Sequence, residues 1–269
     1  MRILLTNDDG IHAPGIRALH QALQGLGEIV TVAPLTVQSA SGHGITFAEP
    51  LMCEELVIDP RMRGIAVDGR PADCVKLALR AIWHERFGPG TRPDITISGM
   101  NSGANVGINV LYSGTVAAAV ESAFLGVPAI AVSLHLGDHD KIEYGRAAAI
   151  GRTIIDRVLE HPLDDHAVIS INIPRTETPD APVPPVRVVG MNAAAGTDHY
   201  ERRESPHGKA YYWPVGDGMG FAHTAPESDV EALLEGYVTV TPLSYVMHDE
   251  TGLPIWRDRL EAVGDRTAP

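Results

Sequence analysis

Cysteine is scarce. Cys53 and Cys74 are the only two among 269 residues. A secreted disulfide scaffold carries several pairs, so a reducing compartment is favoured. Basic residues are also few, 21 against 34 acidic, for a net charge of −13. Phosphate backbones are gripped by excess Lys and Arg, which argues against a nucleic-acid polymer as the main partner. A small anionic substrate is still allowed, because a cation can offset its charge. No apolar stretch approaches the roughly 18 residues of a membrane span. The chain opens on a strand, not on a basic and then apolar leader, so the expected location is cytoplasmic. No Cys or His cluster has the spacing of a structural zinc site. There is no internal repeat and no low-complexity segment.

What is present is an α/β pattern. Apolar residues make up 44% and charged residues 20%, ordinary for a globular chain with one large domain or a domain and an appendage. The first ten residues, MRILLTNDDG, organise the rest. Ile3, Leu4 and Leu5 form a continuous apolar run, the mark of a strand covered on both faces. It stops at Asn7-Asp8-Asp9-Gly10. Ligands of such sheets sit beyond the carboxyl ends of the strands. Adjacent carboxylates repel unless a cation or proton lies between them. A divalent-metal site and a plain Asx turn both fit this stretch alone.

Further along, Pro14 opens a helix whose apolar face is Ile16, Leu19, Leu23 and Leu26. Glu28 to Ala33 is a second strand, so β–α–β with a parallel pair is expected. A loop follows over Pro34 to Gly44, then short strands or ribbon over Ile45 to Ile58 and Gly64 to Val67. Helix is expected over Pro71 to Phe87, after Ser113-Gly114-Thr115, and over Lys141 to Glu160. Parallel strands are expected at Ile95 to Ile97, Ala129 to Leu134 and Ala167 to Ile173. Five prolines between Pro174 and Pro185 mark a change of regime. Beyond them come short strands at Val186 to Gly190, Ala210 to Pro214 and Tyr237 to Leu243, then a helix from Leu253 to about Val263. The pattern is a doubly wound domain over 1–174 with a β-rich appendage over 175–269.

Three polar loops follow three strands: Asn7 to Gly10, the loop with Ser39 and Ser41, and Ser98 to Gly107. Asp, Ser and Asn oxygens suit a hard cation such as Mg²⁺ or Mn²⁺. Their convergence on one sheet edge raises the metal reading above the turn reading. Ser113-Gly114-Thr115 at a helix start is a candidate anion site, since free N–H groups and the dipole favour phosphate there; plain N-capping is the commoner use of such residues. The small residues around Asn101 and Asn105 allow close backbone approach to a ligand. His12 sits near the carboxylates in sequence, but among twelve histidines a satisfied imidazole is the plainer reading. Tyr211, Tyr212 and Trp213 read as strand packing or an interface.

Several segments together carry a resemblance: MRILLTNDDG with HAPGI, QSASGHGIT, GRPADCVKLAL, PDITISGMNSGANVG, YSGTVAAAVE, GVPAIAVSL and EGYVTVTPL. The chain resembles the SurE family of survival proteins, which are metal-dependent 5′-nucleotidases. The resemblance implies a Rossmann-like three-layer α/β fold with a mostly parallel sheet. It also implies a protruding β-hairpin and a swapped C-terminal segment, in a homodimer or homotetramer. It implies hydrolysis of nucleoside 5′-monophosphates, with 3′-monophosphates and short polyphosphate taken by some members. It implies one divalent cation per subunit, Mg²⁺ or Mn²⁺, on Asp8, Asp9, Ser39 and Asn101. Ser113, Gly114 and Thr115 match the family's phosphate pocket, and Ser41-Gly42 also fits its short serine–glycine pattern. Asp8 and Asp9 are then the expected catalytic pair, Asp9 the better placed to handle water, with Asn101 or Asn105 on the phosphoryl oxygens. A nicotinamide oxidoreductase is disfavoured, because GxGxxG is missing after the first strand. A phosphoaspartyl phosphatase lacks its DxD spacing. A non-catalytic nucleotide or metal sensor would use the same groups.

Overall fold

A computed structural model describes residues 1–138, 141–178, 180–216 and 218–261. Its strands, in chain order, are β1 (Arg2–Thr6), β2 (Glu28–Pro34), β3 (Cys53–Asp59), β4 (Met62–Val67), β5 (Ile95–Ser102), β6 (Ala129–Leu134), β7 (Val168–Ile173), β8 (Val186–Val188), β9 (His199–Glu204), β10 (Ala210–Val215) and β11 (Val238–Leu243). Nine of them form one sheet in the order β3-β4-β2-β1-β5-β6-β7-β11-β8, and β9 and β10 form a separate antiparallel hairpin. The sheet is parallel from β4 through β7. Antiparallel pairings occur at β3–β4 and β7–β11. The expected α/β architecture is therefore present.

The helices are α1 (Pro14–Ala22), α2 (Pro71–Leu77), α3 (Trp83–Phe87), α4 (Gly114–Phe124), α5 (Tyr144–Leu159), α6 (Asp229–Leu234) and α7 (Leu253–Leu260). α2 and α3 are joined by a π-helical stretch, Ala78–Ile82, so the expected single helix is one helical run with a widened turn. β1 is buried on both faces. Ile3 and Leu5 pack into a cluster with Ile16 and Leu19 of α1 and Ile154 of α5. Leu4 packs into the opposite cluster, with Val75 of α2 and Ala118 of α4. Two helices on each face of one sheet make three layers. Gly15 lets α1 cross β5: a Cβ there would collide with the Met100 carbonyl.

Several boundaries differ from expectation. Residues 45–52 form no strand, and Phe47 stands 88% exposed. The ties of this stretch to the fold run through single residues instead of a strand ladder: Thr46 bonds Asp73, and Leu51 packs against the cluster around Leu4. The hairpin that the resemblance implies is present as β9–β10, but residue pattern alone gives no sign of β9: His-Tyr-Glu-Arg-Arg-Glu is exposed throughout and has no alternation to read. Residues beyond 174 do not all stand apart, since β8, β11 and α6 join or cover the large sheet. α7 has no buried residue, and its expected end near Val263 lies outside the described residues. Among the described residues no helix is long and apolar enough to cross a membrane.

Candidate active site

The polar segments after β1, β2, β5, β6 and β7 meet at one edge of the sheet. They line a cleft of about 910 Å³ that includes Asp8, Asp9, Ser39, Asn101, Asn105, Ser113, His135 and Arg175. The turn after β1 is held by Asn7, whose buried side-chain amide donates to the Gly10 carbonyl at 2.9 Å. Gly10 accepts that turn at φ +92°. The two aspartates are thereby aimed differently. Asp8 turns inward and is buried. Its Oδ2 accepts from the Thr115 backbone N–H at 3.0 Å, and its Oδ1 from the Thr115 hydroxyl at 2.5 Å. Asp9 Oδ2 accepts from the Ser102 N–H at 2.8 Å.

Burial pushes the Asp8 carboxyl up to about 6, with the Asp9 charge adding to it against the Thr115 bonds. Among the described residues neither aspartate has a Lys or Arg ion pair. A buried carboxyl beside a second one, with no Lys or Arg against either, is a pair that could hold a divalent cation. Among the described residues no three His, Cys, Asp or Glu side chains gather to hold a metal. The oxygen groups that could hold one here are the two carboxylates with the Asn101 amide and the Ser39 hydroxyl. All are hard oxygen donors, which fits Mg²⁺ or Mn²⁺.

Asn101 reaches the cleft through an irregularity in the β5–β6 ladder between Gly99 and Asn101. Such a bulge re-aims a side chain next to a site. Its amide nitrogen donates to the Gly103 carbonyl at 2.8 Å, which leaves the amide oxygen for a ligand. Ser39 is exposed on the cleft wall, on a loop moored at several points. The Gln38 N–H donates to the Asp8 carbonyl at 2.8 Å, and the Gly42 N–H to the Tyr112 carbonyl at 3.0 Å. Further on, His43 Nε2 lies 2.8 Å from Glu121 Oε2, and Asp73 accepts from both the N–H and the hydroxyl of Thr46.

The helix-start triad divides. Ser113 lines the cleft and caps α4, its hydroxyl accepting from the Val116 N–H at 3.1 Å. Thr115 is fully buried, with its N–H and hydroxyl both spent on Asp8. Gly114 is the point of contact: a Cβ there would sit 2.8 Å from the Asp8 Cβ. The structure therefore sets Gly114 and Thr115 behind Asp8, not on the cleft wall. His12 is exposed and does not line the cleft.

The profile described as survival protein SurE matches residues 3–198. The chain belongs to the SurE family. It is 44% identical to the 5′-nucleotidase SurE of Rhodopirellula baltica, over 91% of this chain and 93% of that one. It is 40% identical to the 5′-nucleotidase SurE of Carboxydothermus hydrogenoformans, over 97% and 98%. The crystal structure of the SurE protein from Aquifex aeolicus aligns with a TM-score of 0.78 at 35% identity, covering 96% of this chain and 98% of that one.

Sequence reasoning on this SurE-family chain missed part of the site. Ser102, His135 and Arg175 line the cleft, and Asn172 holds the Asn105 backbone behind it, while Thr115, expected on the phosphate, instead holds Asp8. His135 and Arg175 follow the ends of β6 and β7, and that position was their available signal. For Asn172 the signal was an amide inside an otherwise apolar strand, AVISINI.

Proposed function

We propose that this chain is a metal-dependent phosphomonoesterase that hydrolyses nucleoside 5′-monophosphates to nucleoside and phosphate, with 3′-monophosphates and short polyphosphate as further substrates. One observation carries the reading. Asp8 and Asp9 share a cleft with Asn101 and Ser39, and neither has a cationic partner among the described residues. The relatives' shared name, 5′-nucleotidase, supports the substrate class.

In this reading Asp8, Asp9, Asn101 and Ser39 hold one Mg²⁺ or Mn²⁺ ion per subunit. What such an ion supplies is polarisation of a phosphoryl oxygen and a lowered pKa for water. Asp8 is the fixed ligand, because Thr115 grips both its oxygens. Asp9 has one oxygen on Ser102, which leaves the other to orient or deprotonate water. Ser113 and Asn105, with Asn101, bind the phosphoryl oxygens. Arg175 lines the same cleft and offsets substrate charge. Residues 1–174 supply the proposed metal donors, while 175–269 add Arg175 and Met219 to the cleft and carry the surfaces for assembly into a homodimer or homotetramer. The exposed Tyr200, Tyr212 and Trp213 of the hairpin and the unburied α7 support that role. The net charge of −13 supports small nucleotides over nucleic-acid polymers, and the two free cysteines support a cytoplasmic setting.

The test is phosphate release from AMP and GMP by chelator-treated protein, with and without Mn²⁺ or Mg²⁺. Release only with metal is expected, lost by at least 100-fold in Asp9→Asn and Asn101→Ala. Turnover indifferent to chelator, or nucleotide binding without turnover, would refute it.

A further inference from the structure

Asn105 belongs to the cleft wall and lies in no regular element; its loop is tied at either side by the Gly103 N–H to the Leu134 carbonyl and the Gly107 N–H to Asp229, and neither of these bonds sets Asn105 itself. Asn172 supplies the hold from β7. Its side-chain Oδ1 accepts from the Asn105 backbone N–H at 2.8 Å. Its Nδ2 donates to the Asn105 carbonyl at 3.1 Å. One amide thus pairs with both backbone groups of one residue, as a neighbouring strand would. The pairing orients the Asn172 amide without ambiguity, because a backbone N–H only donates and a carbonyl only accepts. The Asn105 side chain is tied in turn to the Ser133 hydroxyl on β6 at 2.9 Å. Ser133 and Asn172 stand opposite each other in the β6–β7 register, so both anchors project from one rung of the sheet.

We propose that Asn172 is a positioning residue for phosphoryl hydrolysis. It clamps the Asn105 backbone so that the Asn105 side chain meets the substrate phosphate at a set place. This rests on the phosphomonoesterase reading above. A buried amide in a central strand is costly unless both its ends are paired, and here both ends are given to a residue of the cleft. The loop after β5 is thereby rigidly coupled to β7, two strands away. Placement errors of about 1 Å cost on the order of 100-fold in rate, so such a clamp is felt in kcat.

Asn172→Asp separates positioning from bulk stability. An ionised carboxylate keeps the bond from the Asn105 N–H but sets an oxygen against the Asn105 carbonyl. A protonated carboxyl restores donor and acceptor, and burial raises the pH at which it does so. The ratio of mutant to wild-type kcat for AMP, at saturating metal, is expected to fall at least tenfold at pH 8 and to climb back towards one by pH 5.5. Asn172→Ala is expected to lose kcat with a ratio that stays flat across pH. A flat Asn172→Asp ratio, or a loss that follows the folded fraction by circular dichroism at each pH, overturns the inference. Wild-type protein that releases no phosphate would instead overturn the functional reading on which it rests.

Discussion

Replacing Asp8 by Asn separates what the site costs the fold from what it does. The Asp8 carboxyl is moved from 3.8 to about 6, chiefly by burial. Each factor of ten in acidity corresponds to about 1.4 kcal/mol. Ionised Asp8 therefore costs the metal-free folded chain about 3 kcal/mol. The sign follows from which state loses its proton first. Below pH 3.8 both states are protonated and no penalty exists. Between 3.8 and about 6 the unfolded chain ionises while the folded one does not, so stability falls as pH rises. Above about 6 the penalty is present in full. Asn is isosteric and stays neutral. The Thr115 N–H can donate to its amide oxygen, and the Thr115 hydroxyl, now accepting, can take its NH₂. Metal-free Asp8→Asn is thus expected to be more stable than wild type at pH 7.5, by up to about 3 kcal/mol, and inactive. For a chain of this size that is a rise in Tm of several degrees. The gap should close as pH falls towards 4, read by thermal melts of chelator-treated proteins. A mutant no more stable than wild type at pH 7.5, or a gap that does not change with pH, would refute the reasoning. Stability surrendered at a functional carboxyl is a common trade.

Three other outcomes follow from contacts around the cleft. Gly15→Ala drives a methyl into the Met100 carbonyl, where backbone must move; a loss of about 3 kcal/mol or more in denaturant unfolding is expected. Gly114→Ala pushes on Asp8 itself, so activity should fall by at least tenfold with a smaller change in Tm, and equal losses in both would count against it. His43→Ala leaves the buried Glu121 carboxylate without its 2.8 Å partner and frees one end of the Ser39 loop. A drop of about 1–3 kcal/mol in stability and a higher metal requirement for turnover are expected.

The layers of the fold were legible because burial leaves periodic marks. The run of Ile3 to Leu5 and the apolar face of α1 state what each side of the sheet must cover. The hairpin strand β9 carries no such mark, since it is exposed on both faces. The antiparallel entry of β11 between β7 and β8 is a pairing across a long separation, which local pattern does not encode. At the site, the oxygen-rich loops could be assigned to one sheet edge because parallel strands share an end.

By itself the sequence determined that oxygen-bearing side chains, Asp8, Asp9, Ser39 and Asn101 among them, follow strand ends; the family resemblance is what proposes these four as the donors. Only the tertiary structure decided how they differ. Thr115 and Gly114 stand behind Asp8 because the start of α4 packs against the turn after β1. Asp9 is left with one oxygen on Ser102, while both oxygens of Asp8 are held. Residue type sets what a group can bond, but which bonds it has left depends on partners 93 and 107 residues away.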